Sequence, residues 1–191
     1  MKEPGDELSA TTLSSIALLV IDVQQGLFLK SSPIYKAEEL LQNISSLIDR
    51  AHRAGVPVFF VQHSDARTLL EGSQDWQLHP QLQPVATDGI VHKQHGNAFE
   101  ETALDQALKS RNVTGVVITG LVTHGCVRAT CLGALQLGYR VILVRDGHSN
   151  YSKQAARLIE EWNQKLSAQK VELKSTAEIE FSWSPGQLNT A

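Results

Sequence analysis

The stretch VVITGLVTHGCVRATCLGALQLG, from Val116 to Gly138, decides the fold predicted for this chain. It opens with an apolar, β-branched run that is typical of a buried parallel strand. The run breaks at Thr119-Gly120, and from Val127 the apolar residues follow helical spacing up to Gly138, which is expected to cap the helix. The stretch therefore predicts a strand, a short turn and a helix, with Cys126 at the junction.

Cys126 is a candidate nucleophile because of this position. Ligands of open α/β sheets bind at the carboxyl ends of the strands. A helix N-terminus adds unpaired backbone N–H groups and a partial positive charge, which favour a thiolate and predict a lowered thiol pKa. The alternative is a buried structural cysteine, because free cysteines are among the most buried residues.

The composition limits the classes of function. A chain of 191 residues, 42% hydrophobic and 19% charged, suits one globular domain. The net charge of −3 predicts no nucleic-acid partner, and no apolar run is long enough to predict a membrane span. Cys126 and Cys131 match neither a disulfide framework nor a zinc motif. Because segment 1–14 also lacks the features of a secretion signal, we predict a cytoplasmic protein.

The rest of the chain alternates strands with helices. The predicted strands are 15–23, 58–61, 89–92, 116–118, 139–144 and 171–173, and the predicted helices are 37–54, 103–110, 127–138 and 153–168. This order predicts an α/β fold, a single-domain doubly wound parallel sheet with helices on both faces, in three layers. The domain is expected to span 15–182, between an N-terminal arm, 1–14, and a C-terminal tail, 183–191.

Chemically useful side chains follow three of these strands. Asp22 lies at the carboxyl end of the first, Lys93 ends the third and Cys126 follows the fourth, and in a doubly wound sheet these ends line one crevice. A thiolate nucleophile needs a base and a stabilising positive charge, which Asp22 and Lys93 can supply. Taken singly, an aspartate after a strand is more often a turn residue, and a loop lysine is more often a surface charge.

The same residues lie in segments that resemble the isochorismatase-like cysteine hydrolases. In chain order the segments are ALLVIDVQQGLF (17–28), DWQLHP (75–80), GIVHKQHGNAFEETALDQAL (89–108), VVITGLVTHGCVRATCLGALQLGY (116–139) and VILVRDG (141–147). The resemblance covers about Ser15 to Ser167. It implies a parallel α/β fold and a catalytic triad in which Asp22 is the general base, Lys93 the charge-stabilising partner and Cys126 the nucleophile.

The resemblance also implies a reaction, the hydrolysis of an amide or carbamoyl C–N bond in a small molecule through a thioester. It implies a cis peptide bond between Leu121 and Val122, an oxyanion hole formed by the N–H groups of Val122 and Cys126, and a homo-oligomer. The alternatives are a vinyl-ether hydrolase of the isochorismatase type and a catalytically silent binding protein. Without a G-x-G-x-x-G or a Cys-x-x-Cys motif, a nucleotide-binding or thiol redox protein is disfavoured.

A metal site is not predicted from the residues that follow the second strand. Nicotinamidase-type relatives bind a metal through an Asp-x-His order there, whereas this chain has His63 before Asp65, and His79 further on. We therefore expect no metal and no cofactor.

The substrate pocket is expected to include Phe28, Trp76, His95 and Leu121. For Trp76 the alternative role is that of a core anchor. Gln24 follows Asp22 closely and is expected to hold its loop rather than contact substrate. His124 is expected to be an exposed turn residue, with contact to substrate as the alternative.

Overall fold

A six-stranded parallel sheet organises the computed structural model, which describes residues 15–181, so the predicted arm 1–14 and tail 183–191 lie outside the described residues. The strand order is β3-β2-β1-β4-β5-β6. The strands are β1 (Ile16–Ile21), β2 (Val58–His63), β3 (Gly89–Lys93), β4 (Gly115–Leu121), β5 (Arg140–Ser149) and β6 (Glu172–Lys174). The helices are α1 (Gln25–Phe28), α2 (Ala37–Arg53), α3 (Leu104–Lys109), α4 (Arg128–Gln136) and α5 (Ala155–Ser167), with a 3-10 turn at Thr176–Glu178.

Alternate residues of the central strand β1 face two separate cores. One set packs on the side of α2, and the other packs with α3, α4 and α5. The first set is Ile16, Leu18 and Val20, and the second is Ala17, Leu19 and Ile21. A strand buried on both faces needs an apolar residue at every position, which is why β1 is a continuous apolar run. The three-layer α/β fold with helices on both faces of a parallel sheet is thereby confirmed.

The ends of β1 and β4 approach each other closely because Gly120 carries no side chain. Its φ is +119°, and a Cβ at this position would overlap the backbone of Ile21. The predicted cap Gly138, two residues beyond the last residue of α4, also has a positive φ, +86°. Within residues 15–181, no helix is both long enough and apolar enough to cross a membrane.

Strand β5 is longer than predicted. The predicted strand ended at Val144, whereas β5 continues to Ser149. Its register against β4 shifts between Ile118 and Gly120, so that Gly120 pairs with His148. The irregular part of β5 contains polar residues after Val144, and these break the apolar pattern of a buried strand. The extension was therefore not predicted from the sequence.

Candidate active site

The carboxyl ends of three strands bring the predicted triad residues into one buried cluster. Asp22 directly follows β1, Lys93 is the last residue of β3, and Cys126 lies in the Cys126 turn (Thr123–Val127), between β4 and α4. Strand β1 is the point where the chain order reverses, with β2 and β3 on one side and β4 and β5 on the other. Ligands of open α/β sheets bind in the crevice outside such a point.

Asp22 is held in an uncommon backbone conformation, with a φ of +51° in the left-handed region. Its side chain is almost completely buried, and Oδ2 accepts a hydrogen bond from Lys93 Nζ at 2.8 Å. The other oxygen, Oδ1, is also buried but has no hydrogen-bond partner among residues 15–181. Oδ1 is therefore free to accept a proton from a group that lies beside it.

Lys93 uses all three of its ammonium protons. Its Nζ lies 2.8 Å from Asp22 Oδ2, 3.2 Å from His63 Nδ1 and 3.2 Å from the carbonyl oxygen of His95. Because the side chain has no exposed surface, this positive charge stays next to the carboxylate of Asp22. Removing one partner of such a pair would leave a buried charge uncompensated.

Cys126 lies beside these charged groups in a kinked, half-buried turn. The Cys126 turn is π-helical, and the kink falls at Gly125, whose φ is −108° and ψ is −111°. The thiol Sγ, a carboxylate oxygen of Asp22 and a ring nitrogen of His63 all lie within 4.8 Å of one another. The thiol is therefore close enough to the carboxylate for a short proton transfer.

The pKa of the Cys126 thiol is raised to about 12, which contradicts the lowered pKa predicted from the sequence. Burial is the largest cause, and the negative charge of Asp22 adds to it, while Lys93 acts in the opposite direction. The helix N-terminus and Lys93 favour a thiolate, but the loss of water and the adjacent carboxylate outweigh them. Cys126 is consequently a thiol in the free protein.

The backbone before the cysteine contains Val122, a predicted oxyanion donor, and the predicted cis peptide bond. The peptide bond between Leu121 and Val122 is cis. The Val122 carbonyl accepts a hydrogen bond from the Gly125 N–H at 2.9 Å, whereas the Val122 N–H has no acceptor within residues 15–181. An oxyanion hole formed by the N–H groups of Val122 and Cys126 stays a prediction.

Two of the four predicted substrate contacts are core residues instead. Leu121 has no exposed surface, and Trp76 is 8% exposed in the same core as α2. The indole N–H of Trp76 donates to Ser64 Oγ at 2.9 Å, which satisfies its polar atom. Both residues serve as packing anchors, which corrects the prediction. Apolar residues of a core and of a pocket look alike in a sequence.

The other predicted contacts keep accessible surface. Phe28 is half-buried, and its ring centroid lies 4.6 Å from that of His79. His95 is half-buried, and its imidazole Nε2 lies 3.0 Å from a carboxylate oxygen of Glu101. Contact of Phe28 and His95 with a substrate stays a prediction. His124 is half-buried rather than exposed, and its Nδ1 is buried without a partner among the described residues.

The three candidate metal ligands, which lie at the end of β2 and beyond it, do not converge. The carboxylate of Asp65 accepts hydrogen bonds from the backbone N–H groups of residues 67–69, and His63 is bonded to Lys93. The donor atoms that do converge belong to Asp22, His63 and Cys126. Two of these three residues already accept hydrogen bonds from the Lys93 ammonium, which would repel a metal ion at the same place. The cluster therefore fits a metal poorly.

Gln24 holds the loops around the cluster, as favoured from the sequence. Its side chain is completely buried, its Oε1 accepts from the His63 N–H, and its Nε2 donates to the carbonyl oxygens of His63 and Trp76. These bonds tie the end of β1 to the end of β2 and to the connection that carries Trp76. Gln24 is therefore a structural clamp.

Comparison with known proteins decides the family. A family model described as the isochorismatase domain matches residues 16–164.

This chain belongs to the isochorismatase family.

Relatives of this isochorismatase-family chain include named hydrolases. It is 32% identical over 142 residues to a streptothricin hydrolase of Streptomyces noursei, covering 73% of this chain and 51% of the relative. It is 29% identical over 154 residues to nicotinamidase 3 of Arabidopsis thaliana, covering 72% and 75%. A second streptothricin hydrolase is matched over 62% of its length, so the chain spans between half and two thirds of these two hydrolases.

Solved structures of the family have the same fold. An isochorismatase family protein superposes with a TM-score of 0.80 at 29% identity, covering 84% of this chain and 98% of that protein. The N-carbamoylsarcosine amidase of Thermoplasma acidophilum superposes with a TM-score of 0.77 at 25% identity, covering 87% and 99%.

A buried polar network supports the Cys126 turn of this family member, and sequence reasoning missed it. His148 Nδ1 lies 2.9 Å from Thr123 Oγ1, and His148 Nε2 lies 2.9 Å from Asn163 Oδ1. Burial lowers the pKa of His148 to about 4, so its ring is neutral at physiological pH and can accept from one partner while donating to the other. The network joins the turn to β5 and α5. The signal in the sequence was weak, because each residue lies in a different element.

Proposed function

We propose that this chain is a cysteine hydrolase that cleaves the C–N bond of an amide or carbamoyl group in a small molecule. Cys126 acts as the nucleophile, Asp22 as the general base and acid, and Lys93 as the charge that stabilises both. The intermediate is a thioester on Cys126. Relatives named as a nicotinamidase and an N-carbamoylsarcosine amidase support this class of substrate.

The observation that carries the proposal is the buried contact between the three side chains. The Asp22 carboxylate is paired with Lys93 through Oδ2 and has no partner at Oδ1 among the described residues, and one of its oxygens belongs to the same small cluster as the thiol. A catalytically silent binding protein would not need a buried ion pair beside a cysteine, because such a pair is costly to desolvate. A vinyl-ether hydrolase of the isochorismatase type would not need Cys126.

The first half of the reaction forms the thioester. As Sγ attacks the carbonyl carbon, the thiol proton moves to the Asp22 carboxylate. The carbonyl oxygen becomes an oxyanion, which the N–H groups of Val122 and Cys126 stabilise. Asp22 then gives its proton to the leaving nitrogen, the C–N bond breaks, and ammonia or an amine departs.

The second half releases the acid and restores the enzyme. Asp22, again a carboxylate, takes a proton from a water molecule that attacks the thioester carbonyl. The second tetrahedral intermediate collapses, the C–S bond breaks, and the sulfur takes back the proton from Asp22. The product is a carboxylic acid, or a carbamic acid if the substrate carried a carbamoyl group.

The raised thiol pKa is compatible with this mechanism because the thiol proton moves to Asp22, whose negative charge contributes to that raised pKa. While Asp22 is ionised, its charge opposes a thiolate on Cys126. Once Asp22 has accepted the proton, that repulsion disappears and the Lys93 ammonium faces a thiolate instead. Proton transfer and nucleophilic attack are therefore expected to occur together.

An ammonia-release screen tests the proposal. The substrates are nicotinamide, carbamoyl amino acids, maleamate-like amides and lactams, the last followed by appearance of the ring-opened acid. Wild type should hydrolyse at least one class, Cys126→Ala should lose all measurable turnover, and Cys131→Ala should keep most of it, because Cys131 is buried against the sheet. Mass spectrometry of the quenched wild-type reaction should detect an acyl group on Cys126. Turnover by Cys126→Ala would refute the role of Cys126, and equal losses in both variants would instead support a cysteine-pair mechanism.

A further inference from the structure

His63 lies between the two charged residues of the triad. It ends β2, which is flanked by β1 with Asp22 on one side and by β3 on the other, where His63 is in register with Lys93. Gln24 bonds to both the N–H and the carbonyl group of His63. The backbone of His63 is therefore fixed, and its ring is directed by that backbone.

The ring of His63 is bonded to the ammonium of Lys93. Nδ1 lies 3.2 Å from Lys93 Nζ. An ammonium can only donate, so Nδ1 must accept, and the single proton of the neutral ring must then be on Nε2. This bond is one of the three that hold the ammonium, together with those to Asp22 Oδ2 and the carbonyl of His95.

We propose that His63 is a positioning residue of the hydrolase, whose neutral imidazole holds the Lys93 ammonium against Asp22 and whose protonation switches the site off. The inference rests on the proposed function and adds to it a fourth side chain. A neutral acceptor satisfies the third proton of Lys93 without adding a second negative charge beside Asp22. One positive charge then faces one negative charge in the ion pair, and the Lys93 ammonium stays beside the thiol.

Burial of the ring and the nearby Lys93 ammonium keep His63 neutral at physiological pH. Burial and the Lys93 ammonium lower the pKa of His63 from its ordinary value of 6.5, and Asp22, Asp65 and the His95 carbonyl oppose this lowering. Cys126, another titratable neighbour, is an uncharged thiol at this pH. As pH falls through the lowered pKa, Nδ1 gains a proton. It can then no longer accept from Lys93, and two positive charges face each other.

A substrate-independent test is the NMR titration of His63, assigned by the resonance that is lost in His63→Gln. In wild type the midpoint should lie below 6.5. In Lys93→Met, which keeps a similar stem without the charge, the midpoint should rise. An unchanged midpoint in a folded Lys93→Met protein would overturn the pairing, whether or not any amide is hydrolysed.

A kinetic test separates positioning from folding. His63→Ala should lower kcat by about 10- to 100-fold with a smaller effect on KM, because the ammonium loses its alignment. His63→Gln, whose amide oxygen can accept from Lys93 but does not titrate, should recover most of kcat. It should also move the acid limb of the kcat/KM profile to lower pH.

The control is His52→Gln, a histidine paired with Asp88 and remote from the triad, which should keep both the rate and the acid limb of wild type. An acid limb in His63→Gln at the wild-type midpoint would overturn the proposal. So would a His63→Ala enzyme as fast as wild type.

Discussion

The thiol of Cys126 lies between a negative and a positive side chain, and these have opposite effects on its pKa. Asp22→Asn removes the charge that opposes the thiolate, so we predict a lower thiol pKa, although burial should keep it above the ordinary value of 9.0. The same variant should lose hydrolysis, since an amide cannot take the proton. The rate of iodoacetamide reaction against pH, followed in a Cys131→Ala background, measures the first effect.

Lys93→Ala should change the thiol in the other direction. The ammonium lowers the pKa of Cys126, so its removal should raise that pKa further and slow alkylation at a given pH. Lys93→Arg should restore the charge but not the three bonds, because a planar guanidinium replaces a compact ammonium. If the alkylation curves of Asp22→Asn and Lys93→Ala both share the wild-type midpoint, neither residue affects the pKa of the Cys126 thiol.

At the scale of the elements, the Cys126 turn depends on the network between β5 and α5. Thr123→Val keeps the shape of the side chain but leaves His148 Nδ1 without its partner. The free energy of unfolding should fall by about 1–3 kcal/mol, the cost of an unsatisfied buried polar group. Urea unfolding measures this loss. Thr114→Val, at an exposed position, is the control and should change stability by less than about 0.5 kcal/mol; equal losses would contradict the role of the network.

The junction of β1 and β4 provides a second test at this scale. Gly120→Ala would place a Cβ against the Ile21 backbone at a positive φ, so both overlap and strain should destabilise the sheet centre. Gly72 also has a positive φ, +83°, but has open space around it. The midpoint of thermal unfolding should therefore fall much further for Gly120→Ala than for Gly72→Ala. Similar decreases for the two variants would show that the close approach of β1 and β4 at Gly120 adds nothing to the loss of stability.

The protein as a whole is expected to work without a metal ion. The carboxylate of Asp65 accepts hydrogen bonds from its own loop. The side chains that converge with Cys126, those of Asp22 and His63, already accept hydrogen bonds from the Lys93 ammonium. Turnover should therefore survive dialysis against a strong chelator. Loss of activity that is restored by zinc, iron or manganese would contradict this expectation.

The oligomeric state is a further property of the whole molecule. The family resemblance predicts at least a dimer, and apolar side chains such as Leu29 and Leu70 are well exposed on the single chain. Light scattering at micromolar concentration should give a mass of two chains or more. A mass corresponding to one chain of 21.0 kDa would refute the prediction.

The fold was predictable because its signals are local. Continuous apolar runs mark strands buried on both faces, and a glycine such as Gly138 marks a helix end. The positions of Asp22, Lys93 and Cys126 after strands were equally visible, since parallel strands end at the same edge of a sheet.

The remaining features depend on contacts between distant residues. The extension of β5 could not be predicted because its residues after Val144 are polar and its register against β4 shifts there. Trp76 cannot be assigned to the core or to a pocket until its neighbours are known. The thiol pKa depends on how much water the fold removes and on how close Asp22 comes. Neither quantity can be inferred from the helix N-terminus alone, which is why the predicted direction was wrong.

The central place of β1 has a consequence for biosynthesis. The strand IALLVI is translated before the other five strands of the sheet, yet one of its edges pairs with β4, with Ile16 opposite Gly115. Until that distant segment has been translated, the nascent chain carries an apolar strand with one unpaired edge. Such edges are templates for aggregation. High yields of this protein should therefore depend on slow translation or on chaperones that cover the nascent chain.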